Sequence, residues 1–126
     1  MSEKELFHVT AEITVELTVQ DIDDIMVSAL EGGITYWCCE AEVVGEYLGE
    51  YGSDQISRGG SLILHDNEGD DKWELTLEKF LNGVAMYLKE VGTAALDCGH
   101  IDPGQIDGEA ADCIVQFAIF GEVVYG

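Results

Sequence analysis

Residues 61–91, SLILHDNEGDDKWELTLEKFLNGVAMYLKEV, combine the pattern of a β-hairpin with that of a helix. Residues 61–65 and 72–75 are short runs rich in strand-forming side chains on either side of a polar turn, so the second run is predicted to pair back on the first. Thr76 is a favourable N-cap for the helix that follows. Apolar residues recur there at helical spacing, at Leu77, Phe80, Leu81, Val84, Leu88 and Val91. The stretch therefore predicts an antiparallel sheet with a helix packed against it.

The preceding part of the chain predicts a strand followed by a helix. Residues 7–19, FHVTAEITVELTV, alternate between apolar and polar side chains and are rich in β-branched residues. This period of two predicts a long strand with one buried face. Thr18 is placed to cap a short amphipathic helix over residues 19–31. Gly32 and Gly33 are expected to end that helix, because glycine adopts the left-handed conformation at little cost.

The remaining segments complete an α+β pattern. Residues 34–44 favour a further strand, and residues 92–103 are expected to form a loop. A third helix over residues 108–120 has a broad apolar stripe and is capped by Asp107. Residues 122–125 can add an edge strand. The order β-α-β-β-β-α-α predicts a single α+β domain that spans the chain, with a mainly antiparallel sheet packed against about three helices.

The charge balance is the most unusual property of this sequence. It contains 26 Asp and Glu residues against 5 Lys and Arg, for a formal net charge of −21. Such a charge makes a folded chain repel itself, so it is interpreted either as an aid to solubility or as the complement of a basic surface. Direct binding to nucleic acid or to an anionic membrane is nearly excluded, because neutralising phosphates requires clusters of basic side chains. The basic residues are instead scattered, at Lys4, Arg58, Lys72, Lys79 and Lys89.

The sequence predicts a protein of the cytoplasm. Residues 1–12 lack the basic and apolar regions of a signal peptide, and no apolar run approaches the ~20 residues of a membrane span. Free thiols are expected in that compartment. This expectation applies to Cys38, Cys39, Cys98 and Cys113.

Neither a metal site nor a catalytic site is expected. The turn at residues 66–71 holds four carboxylates, but it lacks the order of calcium ligands in an EF-hand and is interpreted as a solvated hairpin tip. Cys38 is adjacent to Cys39, and Cys98 is two residues from His100, so neither pair has the spacing of a zinc site. We therefore predict a protein that is not an enzyme and that uses no cofactor.

Carboxylates recur on several predicted elements and are the main functional candidates. Carboxylates spread over a folded surface can imitate the phosphates of a nucleic-acid backbone and so bind a basic groove. The alternative interpretation is an acidic surface that is evenly solvated. Aromatic side chains in residues 34–51 can stack on arginines of a basic partner or can belong to the core. The predicted partner-binding residues are Asp21, Asp23, Asp24, Glu31, Glu46, Glu50, Asp66, Glu68, Asp70 and Asp71, with Tyr36 and Trp37.

Three runs of sequence carry a resemblance to small acidic proteins of phages and prophages. They are DIDDIMVSALEGGITYWC (residues 21–38), ISRGGSLILHD (residues 56–66) and LTLEKFLNGV (residues 75–84). The resemblance implies an accessory protein of a mobile element that works in the host cytoplasm. It assigns no functional residue, because that group has no established activity.

By analogy of size and charge, the chain is similar to anti-CRISPR proteins that imitate DNA. We therefore expect an inhibitor that occupies the basic groove of a host nucleic-acid-binding defence protein. The alternative is a structural or self-assembling phage module that uses the aromatic residues 34–51 as its interface. Such a module could form a homodimer.

Overall fold

A computed structural model of the chain describes residues 5–10, 12–92, 96–97, 100–101, 104 and 106–126. Within them lie three α-helices, namely α1 (Val19–Ser28), α2 (Leu77–Val91) and α3 (Gly108–Phe120). The same residues contain five strands, namely β1 (Cys38–Val43), β2 (Ser61–Asp66), β3 (Lys72–Thr76), β4 (Leu96–Asp97) and β5 (His100–Ile101). The order α-β-β-β-α-β-β-α confirms the predicted α+β class.

The three longer strands form an antiparallel sheet in the order β1-β2-β3. The central strand places Leu64 opposite Ala41 and Trp73, and Leu64 is fully buried on the face that meets the helices. The next residue, His65, lies opposite Glu40 and Lys72 on the other face. The sheet therefore has one apolar face and one charged face, as the alternation in β2 and β3 requires.

Helix α1 begins as the sequence predicts but ends differently. The hydroxyl of Thr18 accepts from the Asp21 N–H, and the Asp21 carboxylate accepts in return from the Thr18 N–H, which forms a capping box. The chain then continues through a π-helical turn, Ala29–Gly33, instead of stopping at a left-handed glycine. Glycine is needed at Gly33 for another reason, because a Cβ there would lie 2.5 Å from the carbonyl oxygen of Gly108. The turn thereby brings the end of α1 against the start of α3.

Helices α2 and α3 confirm their predicted positions and pack against each other. The Thr76 hydroxyl caps α2 and the Asp107 carboxylate caps α3, each accepting a backbone N–H of the first turn. Both helices end at glycines with positive φ, Gly92 and Gly121. The two helices approach closely at Gly83, which has no side chain to separate them.

The predicted strand at residues 7–19 is wrong. Residues 5–10 and 12–18 belong to no strand of the described chain, and Glu16 forms only an isolated parallel bridge with His100. Alternation creates a tendency to extend, but a strand also needs the backbone of a neighbour for its hydrogen bonds. Neither edge of the three-stranded sheet takes this segment as that neighbour.

Two other sequence predictions are corrected near the C-terminus. The expected loop at residues 92–103 contains the short antiparallel pair of β4 and β5, and the rest of it lies partly outside the described residues. Residues 122–125 form no edge strand. Their backbone groups are instead satisfied by a side chain of α3, which is described below.

Replacing Gly83 by alanine is expected to destabilise the protein by about 1–3 kcal/mol in urea unfolding. The added Cβ would overlap the carbonyl oxygen of Ile114 and would lie 2.9 Å from the Cβ of Ala118. Asn82→Ala is the matched control, since this neighbour on α2 is exposed. Equal stability of the two variants would contradict the close helix contact.

Candidate protein-binding surface

The turn between β2 and β3 presents a run of carboxylates. The backbone of Asp66 closes the turn by donating to the carbonyl oxygen of Asp71 over 3.0 Å, and its carboxylate accepts the Glu68 N–H over 3.3 Å. The side chains of Glu68, Asp70 and Asp71 are exposed, whereas Asp66 is half-buried. Within the part of the chain that the structure describes, no ion pair neutralises these four acids. The turn is therefore a local concentration of negative charge.

This acidic turn is held in place by Asn67. Its side-chain NH₂ donates to the carbonyl oxygens of Thr35 and Tyr36, over 3.3 and 2.8 Å, and its backbone N–H donates to that of Trp37 over 3.1 Å. These bonds join the turn to the segment that precedes β1. The backbone that carries these carboxylates is therefore fixed within the fold by hydrogen bonds.

A buried carboxylate anchors that preceding segment to α3. Asp112, only 6% exposed, accepts hydrogen bonds from the indole Nε1 of Trp37 (2.8 Å), the hydroxyl of Tyr36 (2.5 Å) and the amide of Gln116 (2.8 Å). Three donors satisfy a charge that would otherwise be costly to bury. Burial, together with the hydrogen bond to Asp112 and its charge, raises the pKa of Tyr36 to about 12.

The C-terminal residues are bound to the same network. The Gln116 Oε1 atom accepts the N–H groups of Val124 and Tyr125, both over 2.8 Å, and its NH₂ donates to the carbonyl oxygen of Tyr125 over 3.1 Å. The Tyr125 ring stacks on Trp37, with centroids 5.2 Å apart and planes at 5°. One glutamine side chain thereby provides the pairing that an edge strand would have found in the sheet.

Tyr125 also connects the acidic turn to a second group of acids. Its ring stacks on Trp37, whose carbonyl oxygen accepts the Asn67 N–H of the acidic turn. Burial and the charges of Asp66, Asp71 and Glu68 raise the pKa of Tyr125. Tyr125 also lines a cleft with Tyr36, Glu31 and Glu109. We call the acidic turn and this cleft together the acidic face. It consists of Glu31, Tyr36, Asp66, Glu68, Asp70, Asp71, Glu109 and Tyr125.

The acids of α1 mostly serve the fold. Asp21 caps the helix, and Asp24 accepts from the side chain of Gln20 over 2.7 Å. Asp23 is buried, where it accepts from the Ser57 hydroxyl over 2.6 Å and pairs with Arg58 over 3.5 Å. Its expected place on a partner-binding surface is therefore wrong.

The prediction that Trp37 contacts a partner is also wrong. Its side chain is 2% exposed and lies among Trp73, Phe120 and Tyr125, with ring centroids 5.2–5.8 Å away. Tyr36, the preceding residue, is 53% exposed and remains on the surface. The structure therefore divides the adjacent aromatic pair between the core and the acidic face.

Glu46 and Glu50 belong to a separate surface loop, residues 44–51. Both acids are exposed, and so are the apolar and aromatic side chains of Val44, Tyr47, Leu48 and Tyr51. We call these six residues the aromatic loop.

The side chains of Gln55 and Asp54 bind the backbone of the aromatic loop. Gln55, which is 1% exposed, accepts the Leu48 N–H over 3.0 Å and donates to the Glu46 carbonyl oxygen over 3.1 Å. The Asp54 carboxylate accepts the N–H groups of Glu50 and Tyr51, both over 3.1 Å. The backbone that carries the exposed rings of Tyr47 and Tyr51 is therefore preorganised.

Sequence reasoning missed the residues that build both surfaces. Asp112 and Gln116 are four residues apart, on one face of a helix that is otherwise apolar, and this signal could have marked them as a buried polar pair. Asn67 and Gln55 gave no such signal, because single amides in turn-rich segments are common. Their importance depends on which backbone groups the fold brings near them.

The described residues contain no group of three His, Cys, Asp or Glu side chains arranged to hold a metal ion. As expected for neighbours in a strand, Cys38 is buried and Cys39 exposed, while Cys98 lies outside the described residues. Burial raises the pKa of the Cys38 thiol. No helix in the described part of the chain combines the length and apolar character needed to cross a membrane.

Comparison of the chain with protein-family models, with curated proteins and with solved structures finds no match. The chemistry of the two surfaces must therefore be interpreted from the residues themselves.

Tyr36→Phe tests the hydrogen bond to Asp112 through pH. The pKa of Tyr36 is about 12 in the folded protein and 10.0 ordinarily, so its protonated hydroxyl stabilises the fold. This stabilisation is fully present below pH 10 and is lost as the pH rises toward 12. The stability difference between wild type and Tyr36→Phe in urea unfolding should therefore shrink between pH 10 and 12. A difference that stays constant over that range would contradict the assignment.

Proposed function

We propose that this protein binds the basic groove of a nucleic-acid-binding protein, in the place that the nucleic acid itself would take. The supporting observation is the small share of its acids that are neutralised within the fold. Among the described Lys and Arg side chains, only Arg58 forms ion pairs, with Asp23 and Asp54. Most of the described Asp and Glu residues are also exposed, so most of the net charge of −21 can meet a positively charged surface.

The acidic face has the chemistry that such a groove recognises. Exposed carboxylates accept charge-assisted hydrogen bonds from Arg and Lys, as phosphate oxygens do. Tyr36 and Tyr125 line a cleft together with Glu31 and Glu109. The ring of Tyr36, which is 53% exposed, can stack there on a guanidinium group. Because Asn67 and Gln116 already fix the backbone there, little ordering entropy would be lost on binding.

The aromatic loop offers a second contact to the same partner. It follows directly after β1, whereas the acidic turn lies beside the first residue of that strand, Cys38, which is opposite Asp66. Six strand residues separate the two regions by about 20 Å at ~3.3 Å per residue. Tyr47 and Tyr51 would be apolar anchors there, and Glu46 and Glu50 would form a charged rim.

The finer proposal concerns the identity of the partner. The resemblance to small acidic phage and prophage proteins favours a host defence protein, encountered in the host cytoplasm, with a guide-loaded CRISPR effector as the leading candidate. The inhibition we propose is stoichiometric and requires no catalytic residue, metal or cofactor.

A second candidate function is self-assembly through the aromatic loop, as in an accessory module of a phage particle. The exposure of Tyr47 (62%) and Tyr51 (61%) favours this alternative. It requires an oligomer that dissociates when both tyrosines are replaced by alanine. Inhibition by a monomer would favour the first candidate instead.

Displacement of nucleic acid provides the direct test. Labelled target DNA bound to purified guide-loaded CRISPR effectors is titrated with this protein, and its release is followed by fluorescence anisotropy. We expect stoichiometric release from a susceptible effector, weakening steeply as salt rises from about 0.05 to about 0.5 M because opposed charges are screened. Release that is indifferent to salt would contradict the proposal.

Charge reversal identifies the surface that is used. Glu68→Lys/Asp71→Lys in the acidic turn should weaken release about tenfold or more, since attraction becomes repulsion at the contact. Glu78→Lys/Glu90→Lys changes two exposed acids of α2 and alters the net charge equally. Equal losses in the two variants would indicate a general effect of net charge and would overturn the assignment to the acidic face.

A further inference from the structure

One edge of the three-stranded sheet, formed by β1, is open along the part of the chain that the structure describes. The strand order is β1-β2-β3, so β1 pairs with β2 on one side and with no described strand on the other. The register with β2 shifts between Cys38 and Glu40 and is regular from Glu40 to Val43. The backbone of an open edge strand is a template for pairing with a strand of another molecule.

The pairing with β2 shows which backbone groups of β1 lie on this open edge. In an antiparallel pair, residues that exchange hydrogen bonds with the partner strand alternate with residues whose N–H and C=O groups point away from it. The Val44 N–H donates to the carbonyl oxygen of Ser61 over 3.2 Å, which makes these two residues a bonded pair. By alternation, Glu42 is bonded to β2, whereas the N–H and C=O groups of Ala41 and Val43 point toward the open edge.

The side chains of β1 divide between the two faces of the sheet. Ala41 and Val43 are partly buried and pack against the core. Glu40 and Glu42 lie on the charged face, where their side chains are 65% and 56% exposed, and Glu42 contacts the His65 ring over 2.9 Å. The open edge therefore combines outward-pointing backbone groups with two exposed carboxylates.

The opposite edge of the sheet, formed by β3, is protected by lysines. Lys72 is the first residue of β3, and the Lys79 ammonium group of α2 donates to the carbonyl oxygen of Glu74 over 2.9 Å. Lysine side chains on an edge strand, and groups that cover its backbone, are common protections against pairing. A basic segment is therefore attracted to the edge at β1 and repelled from the edge at β3.

We propose that the open edge of β1 pairs with an extended segment of a partner protein in which basic residues alternate with apolar residues. The segment runs antiparallel to β1. Its apolar residues lie opposite Ala41 and Val43 and exchange hydrogen bonds with them, while its Lys or Arg residues lie opposite Glu40 and Glu42. This inference rests on the geometry of β1 and not on the proposed function.

The charge of β1 selects this occupant over others. Residues opposite Glu40 and Glu42 lie on the same face of the sheet, where basic side chains form favourable cross-strand pairs and acidic ones are repelled. A second copy of this chain would bring its own Glu40 and Glu42 to the edge, and two chains with a net charge of −21 repel each other. The alternation that β1 requires is therefore basic on the charged face and apolar on the core face.

Selectively methylated peptides test the backbone pairing. The probe is a short peptide in which lysine alternates with valine, and its binding is measured by isothermal titration calorimetry. N-methylation removes the N–H of a residue without changing its charge or side chain. N-methylation of the valines should weaken binding about tenfold or more, because their N–H groups face β1. N-methylation of the lysines is the matched control and should have little effect, since those N–H groups point away.

Each other result of this titration argues against the proposed ladder. Equal binding of the two methylated peptides would indicate attraction by charge alone. A loss confined to the lysine-methylated peptide would indicate a parallel arrangement, and an unmethylated peptide that does not bind would leave no pairing at all. Any of these results overturns the proposal. Because the assay contains no nucleic acid and no effector, its failure is distinct from failure of the displacement test.

Hydrogen exchange followed by nuclear magnetic resonance locates the peptide on the protein. Exchange of the Ala41 and Val43 amides should be fast in the protein alone and slow with saturating peptide, because these N–H groups gain carbonyl partners. The Glu42 amide, already bonded to β2, is the internal reference. Slow exchange of Ala41 and Val43 before peptide is added would show an edge already paired, within the chain or between copies, and would overturn the proposal. Exchange that peptide leaves unchanged would do the same.

Charge reversal on β1 tests the choice of a basic occupant. Glu40→Lys/Glu42→Lys should weaken binding of the lysine–valine peptide about tenfold, since attraction becomes repulsion across the ladder. Glu78→Lys/Glu90→Lys on α2 is the matched control with the same change in net charge. Circular dichroism checks that each variant keeps its fold. Equal losses in the two variants would overturn the assignment to β1.

Discussion

The hydrogen bonding of one buried carboxylate, Asp112, supports both the core and the surface above it. Its oxygens accept hydrogen bonds from Trp37, Tyr36 and Gln116. Through these side chains, the segment before β1 and the C-terminal residues are both connected to α3. A charge in this position is stable only while its donors remain, because an unpaired buried carboxylate is strongly destabilising. The acidic face is therefore built on an acid that is itself unavailable to any partner.

The acids of this chain divide into two groups with different physical roles. Asp21, Asp23, Asp54, Asp107 and Asp112 have their charge engaged by caps, by Arg58 or by the network around α3. The exposed acids of the turn, the cleft and the aromatic loop receive no such compensation from a described Lys or Arg. Net charge counts both groups equally, although contacts within the fold engage only the first.

Local patterns in the sequence were sufficient for the helices, their caps and the β2–β3 hairpin, because capping, turn formation and helical periodicity depend on side chains only a few residues apart. The tertiary structure decided the rest. Alternation at residues 7–19 could not supply a neighbouring strand, and the identity of Asp23 and Trp37 could not reveal that Arg58 and Asp112 would meet them in the interior. Whether an acid or an aromatic ring reaches the surface depends on contacts between distant parts of the chain, which form only when the elements pack together.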